Sequence, residues 1–146
     1  MKQESLEDLR GFLKIDRLNL QEEMVRQPAL FSRCSEIYQL QWNELSRARL
    51  TLSKVEAALD QRVRMILQET RSSNDQWIMK EEVISAIHRE PAWIEANEAV
   101  IEAQSVLGQV AAIRDAFVQR ASMLVSLSGL MRQELVGLGS PLSDRT

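Results

Sequence analysis

From Phe12 to Leu107 the chain contains no glycine, and the whole sequence of 146 residues holds only 5 Gly and 3 Pro. A run of that length has few places to turn, and helix is the conformation that satisfies its backbone groups from within. Two internal prolines, Pro28 and Pro91, punctuate it, and each precedes a long proline-free run. Because the missing N–H of proline costs nothing in the first turn of a helix, both are read as helix starts. Shorter helical stretches, Leu18 to Arg26 and Lys80 to Arg89, lie before them. The surroundings match in outline, Arg26-Gln27-Pro28-Ala29-Leu30 against Arg89-Glu90-Pro91-Ala92-Trp93, a weak internal repeat of short helix, proline and long helix.

After Pro28 apolar residues recur at alternating spacings of three and four: Phe31, Cys34, Tyr38, Gln41, Leu45, Ala48, Leu52, Val55, Leu59, Arg62, Ile66. This is a heptad seam of about five repeats whose polar members are Gln41 and Arg62. Arg71-Ser72-Ser73-Asn74-Asp75 ends it and reverses the chain. A second seam follows Pro91: Trp93, Ala96, Val100, Ala103, Leu107, Val110, Arg114, Phe117, Ala121, Leu124, Ser128, Met131, Leu135.

The reading is one all-α domain over 1–146. Short helices occupy 1–27, a first long helix 28–70, a turn and short helix 71–90, a second long helix 91–136 and a flexible tail 137–146. Two helices of about 60–70 Å each fold most simply into a long antiparallel hairpin with short flanking helices. One narrow seam does not cover Leu30, Ile37, Leu50, Ala58, Met65 and Leu67, which flank it on the first helix. Those side chains call for the two short helices and, above all, for other copies of the chain, in a homo-oligomeric ring or bundle.

Charge and cysteine usage narrow the class further. The 18 basic and 21 acidic side chains give a net charge of −3 and a pI near 5.3, which argues mildly against nucleic acid at the level of the whole chain. The single cysteine, Cys34, rules out an intramolecular disulfide framework and suits a reducing compartment. No apolar run approaches a membrane span, and the acidic N-terminus lacks the apolar core of a secretory signal, so a cytoplasmic protein with no membrane partner is expected.

Catalytic constellations are scarce. There is one His, no Gly-rich phosphate loop, no H-E-x-x-H motif and no nucleophile elbow, so no enzyme, metal site or cofactor is expected. His88 closes a short helix, where its cation favours the helix dipole. Cys34 takes a seam position as a small buried hydrophobe. The acid pairs Glu22/Glu23 and Glu81/Glu82 fall in early helical turns and read as solvated charge. Trp42 and Trp93 lie on or beside the seams as core residues. Trp77, after the polar turn, either packs or stacks on a base.

One local charge asymmetry remains. Between Leu45 and Ser72 six basic residues (Arg47, Arg49, Lys54, Arg62, Arg64, Arg71) face three acidic ones (Glu56, Asp60, Glu69), a local +3 in a chain of −3. Arg49, Arg64 and Arg71 fall along one flank of the helix, with Glu56 and Asp60 among them. Asp60 and Arg64 are spaced for an i, i+4 ion pair, so the patch reads either as a salt-bridged solvated face or as a DNA contact. Arg62, standing in the seam itself, must find a carboxylate, a neighbouring subunit or a ligand phosphate.

The order Leu6-Glu7-Asp8-Leu9, Leu13-Lys14, Leu20, Ala29-Leu30-Phe31-Ser32-Arg33 and Ala58-Leu59-Asp60-Gln61-Arg62-Val63-Arg64 resembles the bacteriophage recombination mediator family (UvsY-like). The likeness is clearest over 6–64, with a fainter echo from Phe117-Val118-Gln119-Arg120 to Met131-Arg132. The resemblance implies an all-helical, ring-forming subunit in a phage-infected or lysogenic bacterial cell. Such a subunit binds single-stranded DNA and helps load a RecA-like recombinase onto strands coated by single-strand-binding protein. The family's Ala-Leu-Lys-x-Arg-Leu segment carries two basic residues tied to DNA binding. In one alignment Asp60 stands where that Lys would be, and a shift of two residues puts Arg62 and Arg64 on the basic pair. With Arg49, Lys54 and Arg71 these form the candidate DNA-binding set. The competing reading is a coiled-coil scaffold or adaptor that touches no nucleic acid.

Overall fold

The computed structural model describes residues 5–71 and 77–139, and every regular element among them is helical. In chain order these are α1 (Leu6–Gly11), a 3-10 turn (Arg17–Asn19), α2 (Leu20–Thr70), α3 (Lys80–Ile87) and α4 (Pro91–Leu138). The all-helical expectation holds. The reversal expected at Ser72-Ser73-Asn74-Asp75 lies outside the described residues.

Local chemistry accounts for the helix starts. Ser5 caps α1, its hydroxyl accepting from the Asp8 N–H at 3.2 Å while the Asp8 carboxylate accepts from the Ser5 N–H at 3.0 Å. Asp16 caps the 3-10 turn by accepting from the Leu18 N–H at 2.9 Å. Pro91 is the first residue of α4, as expected.

Pro28 departs from expectation. It lies inside α2, which begins eight residues earlier at Leu20 and absorbs the short helix expected before it. The missing N–H deprives the Met24 carbonyl of its helical partner, but Met24 and Pro28 are both exposed, and a carbonyl on an exposed flank is open to solvent. About 60–100° round the same turns Leu20, Gln27 and Cys34 are buried, and that packing carries the helix through the proline. At the far end of the chain α4 continues to Leu138, beyond the expected 136, and 140–146 of the expected tail lie outside the described residues.

By its contacts the chain divides into two compact units, Met1–Tyr38 with Gln109–Thr146, and Gln39–Gly108. In the first, Leu9, Cys34, Ile113 and Phe117 form the core, with Leu6, Phe12, Leu13, Leu30 and Ile37 packed against it. In the second, Leu59, Val63, Val83 and Ile87 form the core, joined by Val55, Leu67, Ile78, Ala86 and Trp93. Thus Leu30, Ile37 and Leu67, three of the six apolar residues expected to seek the short helices or another copy, pack in the clusters that α1 and α3 join. Leu50, Ala58 and Met65 remain exposed.

The α2 seam is buried or half-buried from Cys34 through Leu59, as its spacing predicts. Beyond Leu59 the inward stripe passes to Val63 and Leu67, leaving Arg62 and Ile66 outside. A helix of 3.6 residues per turn drifts about 20° per heptad from a strict seven-residue repeat. Over five repeats that is about one residue, which accounts for the displacement. On α4 the seam holds from Trp93 to Ser128. Met131 and Leu135 continue the same stripe but are exposed, like every described residue from Leu130 onward.

Candidate nucleic-acid interface

All five candidate cations belong to the second unit, four on α2 and Arg71 just past its end. At 100° per residue Arg49, Arg64 and Arg71 fall within about 60° of one another, while Arg62 is about 160° from Arg64. Residues two apart in sequence share a face of a strand, not of a helix. The basic pair that the resemblance suggests is therefore split across α2, and the flank shared by Arg49, Arg64 and Arg71 is the grouping that the helix makes.

Acids already hold three of these cations. Arg62, whose side chain is 62% exposed, donates to Glu90 at 3.2 Å, so the expectation that it lies within the seam is corrected. The drift of the inward stripe turned it toward the α3–α4 junction, and of the three partners considered for it the carboxylate is present in its own chain. Arg64 donates to Asp60 at 2.9 Å in the expected i, i+4 pair, which raises the guanidinium above its ordinary pKa and keeps it charged. Arg71 donates through one nitrogen to the Trp77 carbonyl at 2.8 Å and through the other to Glu82 at 2.5 Å. Arg49 and Lys54 are exposed and form no ion pair among the described residues.

Next to this flank, a groove of about 500 Å³ between α2 and α3 is lined by Ser53, Glu56, Ala57, Asp60, Ile84, Ile87 and His88. Its carboxylates, Glu56 and Asp60, make the groove itself repel phosphate. His88 is the C-cap residue of α3, its N–H donating to the Ile84 carbonyl at 3.0 Å, and its ring stacks on Trp93 at 4.0 Å between centroids. Trp93 is half-buried as expected and donates its indole N–H to Glu56 at 3.0 Å. Trp42 is 47% exposed, a correction to its core reading; it lies one residue past the seam position Gln41, which turns it about 100° outward. Trp77 is not packed at all, being 93% exposed.

The first unit holds a polar cluster built on Arg120, in which Glu23, expected as solvated charge, is instead largely covered and paired. Arg120 is buried on α4, paired with Glu23 and donating to the Gln27 side chain and, at 3.3 Å, to the Lys14 carbonyl. Gln27 in turn donates to the Phe117 carbonyl at 2.7 Å. The signal was present in the spacing, since Arg120 stands between the inward residues Phe117 and Leu124 while Glu23 and Gln27 are one turn apart beside Leu20 and Cys34. Cys34 is buried in that unit as expected, and burial pushes its thiol pKa up, so it is protonated and inert at neutral pH. No group of three or more metal-ligating side chains occurs among the described residues. Among the described residues no helix is long and apolar enough to cross a membrane.

No protein-family model, curated protein or solved structure matches this chain.

Proposed function

We propose that the protein is a non-enzymatic recombination mediator: a homo-oligomer of long helical hairpins that binds single-stranded DNA. In this reading it promotes loading of a RecA-like recombinase onto strands coated by single-strand-binding protein, in the cytoplasm of a phage-infected or lysogenic bacterial host. The observation that carries the reading is the outer flank of α2, where the segment of family resemblance ends. Arg49, Arg64 and Arg71 line that flank by helical geometry, and Arg49 and Lys54 are free of ion pairs among the described residues. So few cations bind weakly alone and become effective when repeated around an oligomer.

The ion pairs of Arg62, Arg64 and Arg71 favour a second reading, a helical scaffold whose basic face is only solvated. Gel mobility of a labelled single-stranded oligonucleotide at two salt concentrations separates the two. A mediator shows a shift that weakens steeply with salt, and a scaffold shows none. Loss of Arg49 and Lys54 together lowers the dependence of log affinity on log salt by about 0.7 for each phosphate contact removed. Arg62→Ala with Arg64→Ala weakens binding more mildly and leaves the fold intact, because exposed pairs contribute only about 0–1 kcal/mol. Dissociation of the assembly by that double substitution, with affinity per assembled particle unchanged, would assign both arginines to structure.

A further inference from the structure

We infer that Trp77 is a base-stacking residue of the interface proposed above, and the inference rests on the single-stranded DNA reading. The three tryptophans of the chain are placed differently. Trp93 has its ring on His88 and its N–H on Glu56, and Trp42 is half-covered on α2. Trp77 is 93% exposed, and its indole has no hydrogen bond among the described residues.

The main chain beneath that ring is held. The Trp77 carbonyl accepts from Arg71, whose second nitrogen is on the Glu82 carboxylate. The same Glu82 oxygen accepts from the Met79 N–H at 3.3 Å, and the Glu82 N–H donates to the Met79 carbonyl at 3.1 Å, so the start of α3 is closed over the clamp. A large apolar ring thus stands in water on an anchored backbone, with one face of an aromatic system open to a partner. Ordering such a residue costs little on binding, because its main chain is already fixed.

Its neighbours indicate which partner. Arg64 on α2 and Arg71, one residue past its end, lie seven residues apart along nearly the same line, about 10 Å along the axis, and Arg71 itself carries the Trp77 carbonyl. A strand whose phosphates follow that line has its bases free to turn onto the indole. Both cations are partly neutralised, by Asp60 and Glu82, so phosphate attraction alone is modest at this end of the unit. Stacking adds affinity that does not depend on charge, and it accepts any base because every base has a π face. It also requires bases that are not paired, so this contact selects single strands over duplex.

The test compares the full-length protein with Trp77→Ala and Trp77→Phe, titrated by fluorescence anisotropy against a labelled oligothymidine and an abasic deoxyribose-phosphate strand of the same length. Circular dichroism of both variants is expected to match the parent, since the side chain is exposed. The parent protein binds oligothymidine more tightly than the abasic strand, by roughly 5- to 150-fold for each stacked base. Trp77→Ala abolishes that preference and leaves abasic-strand affinity unchanged, while Trp77→Phe retains part of it. Emission assigned to Trp77, the difference between the parent and Trp77→Phe, is quenched on adding oligothymidine. Equal affinity of the parent for both strands, or an unchanged preference in Trp77→Ala, overturns the role of Trp77 and leaves DNA binding standing. Binding of neither strand at low salt overturns the DNA reading itself, and the inference with it.

Discussion

A guanidinium that is 3% exposed, as that of Arg120 is, has given up its hydration and depends on protein partners for nearly all of its hydrogen bonds. Glu23, Gln27 and the Lys14 carbonyl supply them, leaving Nε without a partner. Removing one charge of such a pair is far more damaging than removing both. Arg120→Ala is therefore expected to cost about 3–5 kcal/mol, while Arg120→Met with Glu23→Leu costs much less than Glu23→Leu and Arg120→Ala summed. Urea unfolding of the three variants at neutral pH measures both, and a loss under about 1 kcal/mol for Arg120→Ala would show that the pair carries little stability. Residues of this kind were only partly legible in the sequence. Cys34 and Leu45 announce their burial by type and spacing, whereas the partners of Arg120 are 93 to 106 residues away and local pattern says nothing of them. Arg62 and Trp42 were misplaced for a smaller reason, one residue of rotation about a helix.

Each helix end and interruption has its own physical chemistry. The hydrogen bonds from Ser5 hold the Asp8 carboxyl below its usual 3.8. A carboxyl lowered in the folded state contributes stability that is present above the unfolded value and lost as pH falls through the folded one. The cap of α1 is thus expected to weaken below about pH 4, and Asp8→Asn to reproduce that weakening at neutral pH, read as faster amide exchange at Leu9 and Phe12. Pro28 and Gly108 are interruptions within long helices. Pro28→Ala restores a donor to the Met24 carbonyl and is expected to raise stability by about 1–3 kcal/mol. A Cβ at Gly108 would meet nothing within 4 Å, so Gly108→Ala is expected to add about 0.5–1 kcal/mol by helix propensity alone. Thermal unfolding checks both, and a lowered Tm in either would mean that the interruption serves packing or assembly.

At the scale of the molecule, the uncovered continuation of the α4 seam is the feature that bears on assembly. Leu124 is buried and Ser128 half-buried, while Met131, Leu135 and Leu138 prolong their line in the open. In the proposed homo-oligomer this stripe is covered by other copies of the chain, and light scattering at micromolar concentration reads the mass of the assembly. Leu135→Glu with Leu138→Glu is expected to shift that mass downward without loss of helix content, and an unchanged mass would place the assembly surface elsewhere. The sequence by itself determined the helical class, the start of α4, the end of the first long helix and the inward stripe from Cys34 to Leu59. Those follow from glycine and proline placement and from a three-four spacing that any helix must obey. Tertiary structure decided the rest. It carried α2 through Pro28, because burial of the line through Leu20, Gln27 and Cys34 outweighs one lost hydrogen bond, and it gathered two separate cores. It also gave Arg62 and Arg71 their acidic partners, since their ion pairs with Glu90 and Glu82 exist only once the chain beyond α2 has packed back on it.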